Sequence, residues 1–167
     1  MSESRTSQQN LIGKFRGKVT DNKDPLFLGR VRARVPGALG DEQTGWAMPC
    51  VPYAGKGVGF FFIPPVDANV WIEFENGNPD YPIWTGCYWG PTEAPKIPAM
   101  QEVKIIKTKT ATITLDDLPG VGGIKIETAN GLKIVMDSTG IELSNGSSNI
   151  KMTPASVSIN NGALDII

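Results

Sequence analysis

The residues that could do chemistry are few. Glu73 and Glu75 stand two apart in NVWIEFE, and Asp116 and Asp117 are adjacent. Paired carboxylates can share acid and base work on a glycosidic bond. However, Glu73 and Glu75 fit the polar side of an alternating strand, and Asp-Asp-Leu-Pro-Gly at 116–120 fits a turn. Catalysis is therefore not expected. The two cysteines, Cys50 and Cys87, are far apart and form no CxxC pair, and the chain has no histidine. That absence removes Ser-His-Asp and Cys-His chemistry and the commonest metal ligand. No metal or cofactor is expected. The cysteines read as small buried thiols of a reducing compartment, with a disulfide as the alternative.

Two further groups could bind a partner. Phe60-Phe61-Phe62, beside Lys56, is a run on which nucleic-acid bases could stack. The net charge of −1 gives no broad attraction to nucleic acid or to an anionic membrane. Loop packing or a subunit contact suits the run better. In GRVRARVPG, Arg30, Arg32 and Arg34 alternate with Val31, Ala33 and Val35. The arginines read as a solvated strand face; an acidic partner surface or a neighbouring subunit is the functional alternative.

The elements that must carry these residues are β-strands. Composition separates a polar arm (1–10), an aromatic-rich body (11–90) with all four Trp, a linker (91–103) with three Pro, and an aromatic-free segment (104–167). The start, MSESRTSQQN, lacks the apolar core of a signal peptide. Synthesis in the cytoplasm is expected. In the body, 11–20, the Val31–Val35 alternation, 46–53, NVWIEFE at 69–75 and 81–89 read as short strands. Asn76-Gly77 is a strong hairpin signal between the last two. Five or six short strands without helical period predict a small antiparallel barrel.

From residue 104 on, apolar residues recur as i, i+2 pairs: Ile113/Leu115, Ile124/Ile126, Ile134/Met136, Ile141/Leu143, Ile150/Met152, Val157/Ile159 and Leu164/Ile166. Turn formers such as Asn130-Gly131 and Asn145-Gly146 separate them. This is a strand-and-turn repeat with two inward residues per strand. Two residues per rung cannot close a core within one chain. Three chains around one axis can, each supplying one wall with its aliphatics meeting at the centre. The twelve residues from Ile113 to Ile159 are thus the expected trimer core. Seven strands would make a shaft on the order of 35 Å long.

GKVTDNKDPLFLGRVRARVPG, WAMPCVPYAG, PPVDANVWIEFENGNPDYPIWTGCYW and KTKTATITLDDLPGVGGIKIE, in that order, resemble the spike proteins of contractile injection machines. These are the central spike or baseplate-assembly V proteins of contractile phage tails and the VgrG-like proteins of type VI secretion. The resemblance implies an all-β chain: an OB-fold barrel, then an intertwined triple-stranded β-helix, assembled as a homotrimer. It implies a structural spike that links a hub to a tip and helps to pierce the target cell envelope. The particle would be a virion tail baseplate or an injection system, assembled in the bacterial cytoplasm. With about ten residues before the barrel, a separate hub protein is expected on the OB side. A linker of about a dozen residues leaves no room for the lysozyme domain of some phage members. Leu164, Ile166 and Ile167 become the expected contact for a PAAR-like tip protein. No nucleic acid is expected; a nucleic-acid- or glycan-binding OB protein is the alternative.

Overall fold

A computed structural model describes residues 10–95 and 100–166. The expected arm lies, save Asn10, outside the described residues, as does Ile167. The chain divides into two compact units, Met1–Pro91 and Thr92–Ile167.

The first unit contains β1 (Phe15–Asp21), β2 (Arg32–Arg34), β3 (Met48–Pro49), β4 (Ala54–Gly55), β5 (Val58–Gly59), β6 (Asn69–Phe74) and β7 (Pro82–Cys87). Five of these form one curled, OB-like sheet in the order β2-β1-β6-β7-β3, and β4 and β5 make a separate hairpin. Antiparallel pairing prevails, but β3 runs parallel to β7, with Met48 opposite Ile83 and Pro49 opposite Trp84. Alternation determines the core. Val31, Ala33, Val35, Val70 and Ile72 are each 0% exposed. Gly17 lets β1 cross closely: a Cβ there would sit 3.1 Å from Ile72 Cγ1 and 3.3 Å from Val35 Cγ2.

Local structure departs from the sequence reading at two turns. Pro36-Gly37 does end the arginine segment, but by opening a one-turn helix, α1 (Pro36–Leu39), with Pro at its start. Asn76-Gly77 does not make a two-residue hairpin. Glu75–Gly77 forms a short 3-10 turn, and residues 75–81 bridge β6 and β7. The reason is tertiary. Gly77 O accepts a hydrogen bond from Leu11 N–H at 3.0 Å, so the turn anchors the segment that brings Leu11 into the core.

Asp24 organises the loop between β1 and β2. It is buried, and Oδ1 accepts from Arg30 Nη2 at 2.6 Å and Nε at 3.0 Å. Backbone N–H groups of Leu26, Leu28 and Arg30 also donate to its carboxylate. Arg30 therefore does not belong to a freely solvated face. The Arg30 guanidinium, helped by the three N–H donors, holds the Asp24 carboxyl well below the usual carboxylate range, although burial pulls the other way. Arg32 stacks on Trp46, its guanidinium 4.7 Å from the ring centroid. Arg34 is exposed.

The second unit contains β8 (Val103–Lys107), β9 (Ala111–Asp116), β10 (Gly123–Thr128), β11 (Lys133–Asp137), β12 (Gly140–Ser144), β13 (Asn149–Met152), β14 (Val157–Ile159) and β15 (Leu164–Ile166). These eight strands pair in chain order, each antiparallel to the next. The chain is thus all-β apart from short helical turns. Asx chemistry shapes the connections. Asp137 Oδ1 accepts from both N–H and Oγ1 of Thr139 at 2.7 Å, which holds its carboxyl below the usual range.

Because its folded pKa is depressed, Asp24 contributes stability that is present above the unfolded value, near pH 4, and is lost as pH falls toward the folded value. Thermal melts from pH 7 to pH 2.5 should show the melting temperature of the first unit falling below about pH 4. Asp24→Asn should lower that temperature at pH 7 and flatten its fall in acid. An unchanged acid profile would remove Asp24 as the cause.

Candidate functional site: an uncovered apolar wall

The seven sequence pairs fall one to a strand on β9–β15. Strand pairing sets them in two unbroken columns. Ile113, Ile126, Ile134, Leu143, Ile150, Ile159 and Leu164 lie directly opposite one another from strand to strand. Leu115, Ile124, Met136, Ile141, Met152, Val157 and Ile166 form the second column in the same way. Residues directly opposite in a ladder point to the same face, as do i and i+2 within a strand. Both columns therefore occupy one face. All twelve expected core residues, together with Leu164 and Ile166, share it.

Among the described residues of the second unit nothing covers this face. Nine of the ten column residues on β9–β13, all but Met136, remain 36–44% accessible although each has cross-strand neighbours, whereas Ile72 of the first unit is 0%. A contiguous apolar surface of this length is unusual on a solvent-facing sheet. The opposite face is mainly polar. Its middle row runs Thr114, Lys125, Val135, Glu142, Lys151, Ser158, Asp165. Lys125–Glu127 at 2.6 Å and Lys133–Glu142 at 3.0 Å form ion pairs beside it.

The repeat also begins one strand earlier than the pairs suggested. On β8, Ile106 lies opposite Ile113 and Lys104 opposite Leu115. The sequence reading missed this rung because its second member is a lysine. The aliphatic i, i+2 pair that VKIIK does contain, Val103 and Ile105, lies opposite Asp116 and Thr114 and so faces the other way. Tight turns keep the rungs close. A Cβ on Gly140 (φ 143°) would fall 1.9 Å from Met152 O, so only glycine fits where β12 enters the sheet beside β13.

The residues with catalytic potential do not converge on a site. Glu73 Oε1 accepts from Lys14 Nζ at 2.6 Å. Glu75 lies beyond β6, in the 3-10 turn, and its N–H donates to Tyr81 O at 2.9 Å. Asp116 Oδ1 accepts from Leu118 N–H at 3.0 Å, and Asp117 pairs with Lys104. Among the described residues no group of three or more His, Cys, Asp or Glu could hold a metal. Cys50 and Cys87 are exposed and not bonded to each other, contrary to the expectation of buried thiols. Cys50 directly follows β3 and Cys87 ends β7; partial burial still pushes the Cys87 thiol up. Phe60, Phe61 and Phe62 are exposed beside the β4–β5 hairpin, around a depression shared with Phe27, Tyr53 and Trp84.

An OB-like curled sheet followed by a sheet with one uncovered apolar face is the build of an assembly protein. Comparison with known families agrees with this domain by domain. Residues 15–89 match the type VI secretion system/phage-baseplate injector OB domain, and residues 103–165 match the phage baseplate V C-terminal trimerisation domain. The chain belongs to this baseplate V and VgrG-like spike family. It is 34% identical over 88 residues to "Actin cross-linking toxin VgrG1" of Vibrio cholerae, covering 49% of this chain and 8% of that protein. It is 33% identical over 86 residues to "Type VI secretion system spike protein VgrG4b" of Pseudomonas aeruginosa, covering 48% of this chain and 11% of that protein. The chain thus aligns with about a tenth of the length of these relatives. The cross-linking in the first name is said of the Vibrio protein.

Gly140→Val should destabilise the second unit by roughly 1–3 kcal/mol, through the clash and the backbone strain together. Hydrogen exchange should show protection lost first along β12 and β13. Unaltered protection there would mean the β12 entry can relax around a side chain.

Proposed function

We propose that the chain is a homotrimeric structural spike of a contractile tail or injection-system baseplate. The observation that carries this reading is the pair of aliphatic columns left uncovered on one face of the second unit. Three such walls, turned inward and twisted about a common axis by the ordinary right-handed twist of sheets, bury all the columns at once. Ile113, Leu115, Ile124, Ile126, Ile134, Met136, Ile141, Leu143, Ile150, Met152, Val157 and Ile159 are then the trimer core, and the polar faces meet water. The match to a trimerisation domain supports the homotrimer. Eight strands at about 4.8 Å spacing, one more than the seven pairs implied, make a shaft roughly 38 Å long.

The role follows from this build. The OB domain joins a hub protein, and the shaft transmits axial force toward a tip during penetration of the target envelope. Walls that share one core resist buckling, because fraying one strand exposes aliphatics on its neighbours. Leu164 and Ile166 form the last described rung and give a PAAR-like tip protein an apolar seat. The proposed place of work is a virion tail baseplate or injection particle assembled in the bacterial cytoplasm. A non-catalytic role is supported by the turns and ion pairs that already engage the carboxylates. For the alternative of nucleic-acid binding, the aromatic depression around Phe60–Phe62 offers no lysine or arginine along its lining among the described residues. Base stacking normally works together with a basic groove.

Light scattering on the full chain should give three times the chain mass. A chain ending at Pro91 should be monomeric, and full-length Ile134→Asp should lose the trimer, since it would bury three carboxylates at one level. A monomeric full chain, or a trimer unaffected by Ile134→Asp, would overturn the reading. Removing residues 164–167 should abolish binding of a PAAR-like protein while the trimer persists; unchanged binding would refute the apolar seat.

A further inference from the structure

The two columns are almost uniform. Apart from one position, they hold only Ile, Leu, Met and Val in every described rung. Such uniformity leaves a problem for an assembly of three identical walls. One wall could slide along the axis by a rung, about 4.8 Å, and still place aliphatics against aliphatics. Apolar contact is non-directional and does not by itself penalise the slip. Coiled coils face the same degeneracy, and there a single polar residue in the apolar seam fixes register.

The exceptional position is Lys104. It stands in the second column on β8, directly opposite Leu115, on the core-facing side. Its ammonium pairs with Asp117, the residue just past β9, whose N–H donates to Glu102 O at 2.9 Å and carries the ladder on beside β8. Lys104 Nζ also donates to Glu102 O at 3.3 Å. In the single chain the two side chains are 52% and 65% exposed.

We propose that Lys104 and Asp117 set the axial register of the three walls. This rests on the trimeric reading above. With the copies level, three Lys104–Asp117 pairs form one charged ring at the first rung, and every lower level is aliphatic. If one wall slips either way, a charged pair faces an aliphatic rung of its neighbours. The charges then lose water without gaining partners, a penalty that apolar packing lacks. The slip also breaks symmetry, because in a closed ring of three the walls cannot all be offset in the same sense.

The test uses the full chain with isoleucine methyl groups labelled for NMR, alongside light scattering. The parent should give a trimer and one resonance per isoleucine, as three-fold symmetry requires. Lys104→Met combined with Asp117→Leu should keep the trimer mass but split the column isoleucines into several resonances. The reciprocal exchange, Lys104→Asp with Asp117→Lys, preserves the ring and should keep a single set; if the apolar variant aggregates, Lys104→Ala with Asp117→Ala takes its place and should split the resonances in the same way. A trimeric apolar variant with one resonance per isoleucine would overturn the proposal, as would splitting in the reciprocal variant. A parent that is not trimeric would instead defeat the trimeric reading on which this one stands.

Discussion

A sheet that buries two side chains per strand on one face needs something to lie against that face. Everything distinctive about the second unit follows from this. Its backbone is satisfied: eight strands pair in sequence, and turns of Asx and glycine type return the chain each time. Its apolar side is not satisfied, because among the described residues the columns stay largely accessible. The ladder hydrogen bonds are made inside one chain, and the apolar face is left open for a partner surface. That division makes a trimerisation domain out of a simple meander.

The first unit solves the same problem alone. Its sheet curls until Val31, Ala33, Val35, Val70 and Ile72 face one another, and Trp84 closes the side, its Nε1–H donating to Gly29 O at 3.1 Å. Asp24 and Arg30 fix the loop that carries Gly29, with a buried carboxylate meeting a guanidinium and three backbone donors. One unit thus closes its own core, whereas the other leaves an apolar face open.

The carboxylates and cysteines show how far residue type falls short of function. Glu73 is engaged by Lys14, Asp116 by its own turn, and Asp117 by Lys104. Cys50 and Cys87 were expected inside and lie outside. A short thiol carries no pattern of its own; its burial depends on which strand end it occupies, and both occupy ends.

The sequence by itself determined the features that repeat as aliphatic alternation. Period-two alternation placed Val31, Ala33 and Val35 inside, and it placed seven aliphatic pairs on seven strands, because side chains in a strand alternate faces whatever surrounds it. It also set the two-unit composition and the absence of histidine chemistry. Only the tertiary structure decided the features that join distant residues. It spent Asn76-Gly77 on anchoring Leu11, ran β3 parallel to β7, and drew Arg30 onto Asp24. It also revealed β8 as a further rung, with Lys104 standing in an aliphatic column. Local pattern fixes which way a side chain points. What it meets there depends on chain segments tens of residues away, and no local period encodes that.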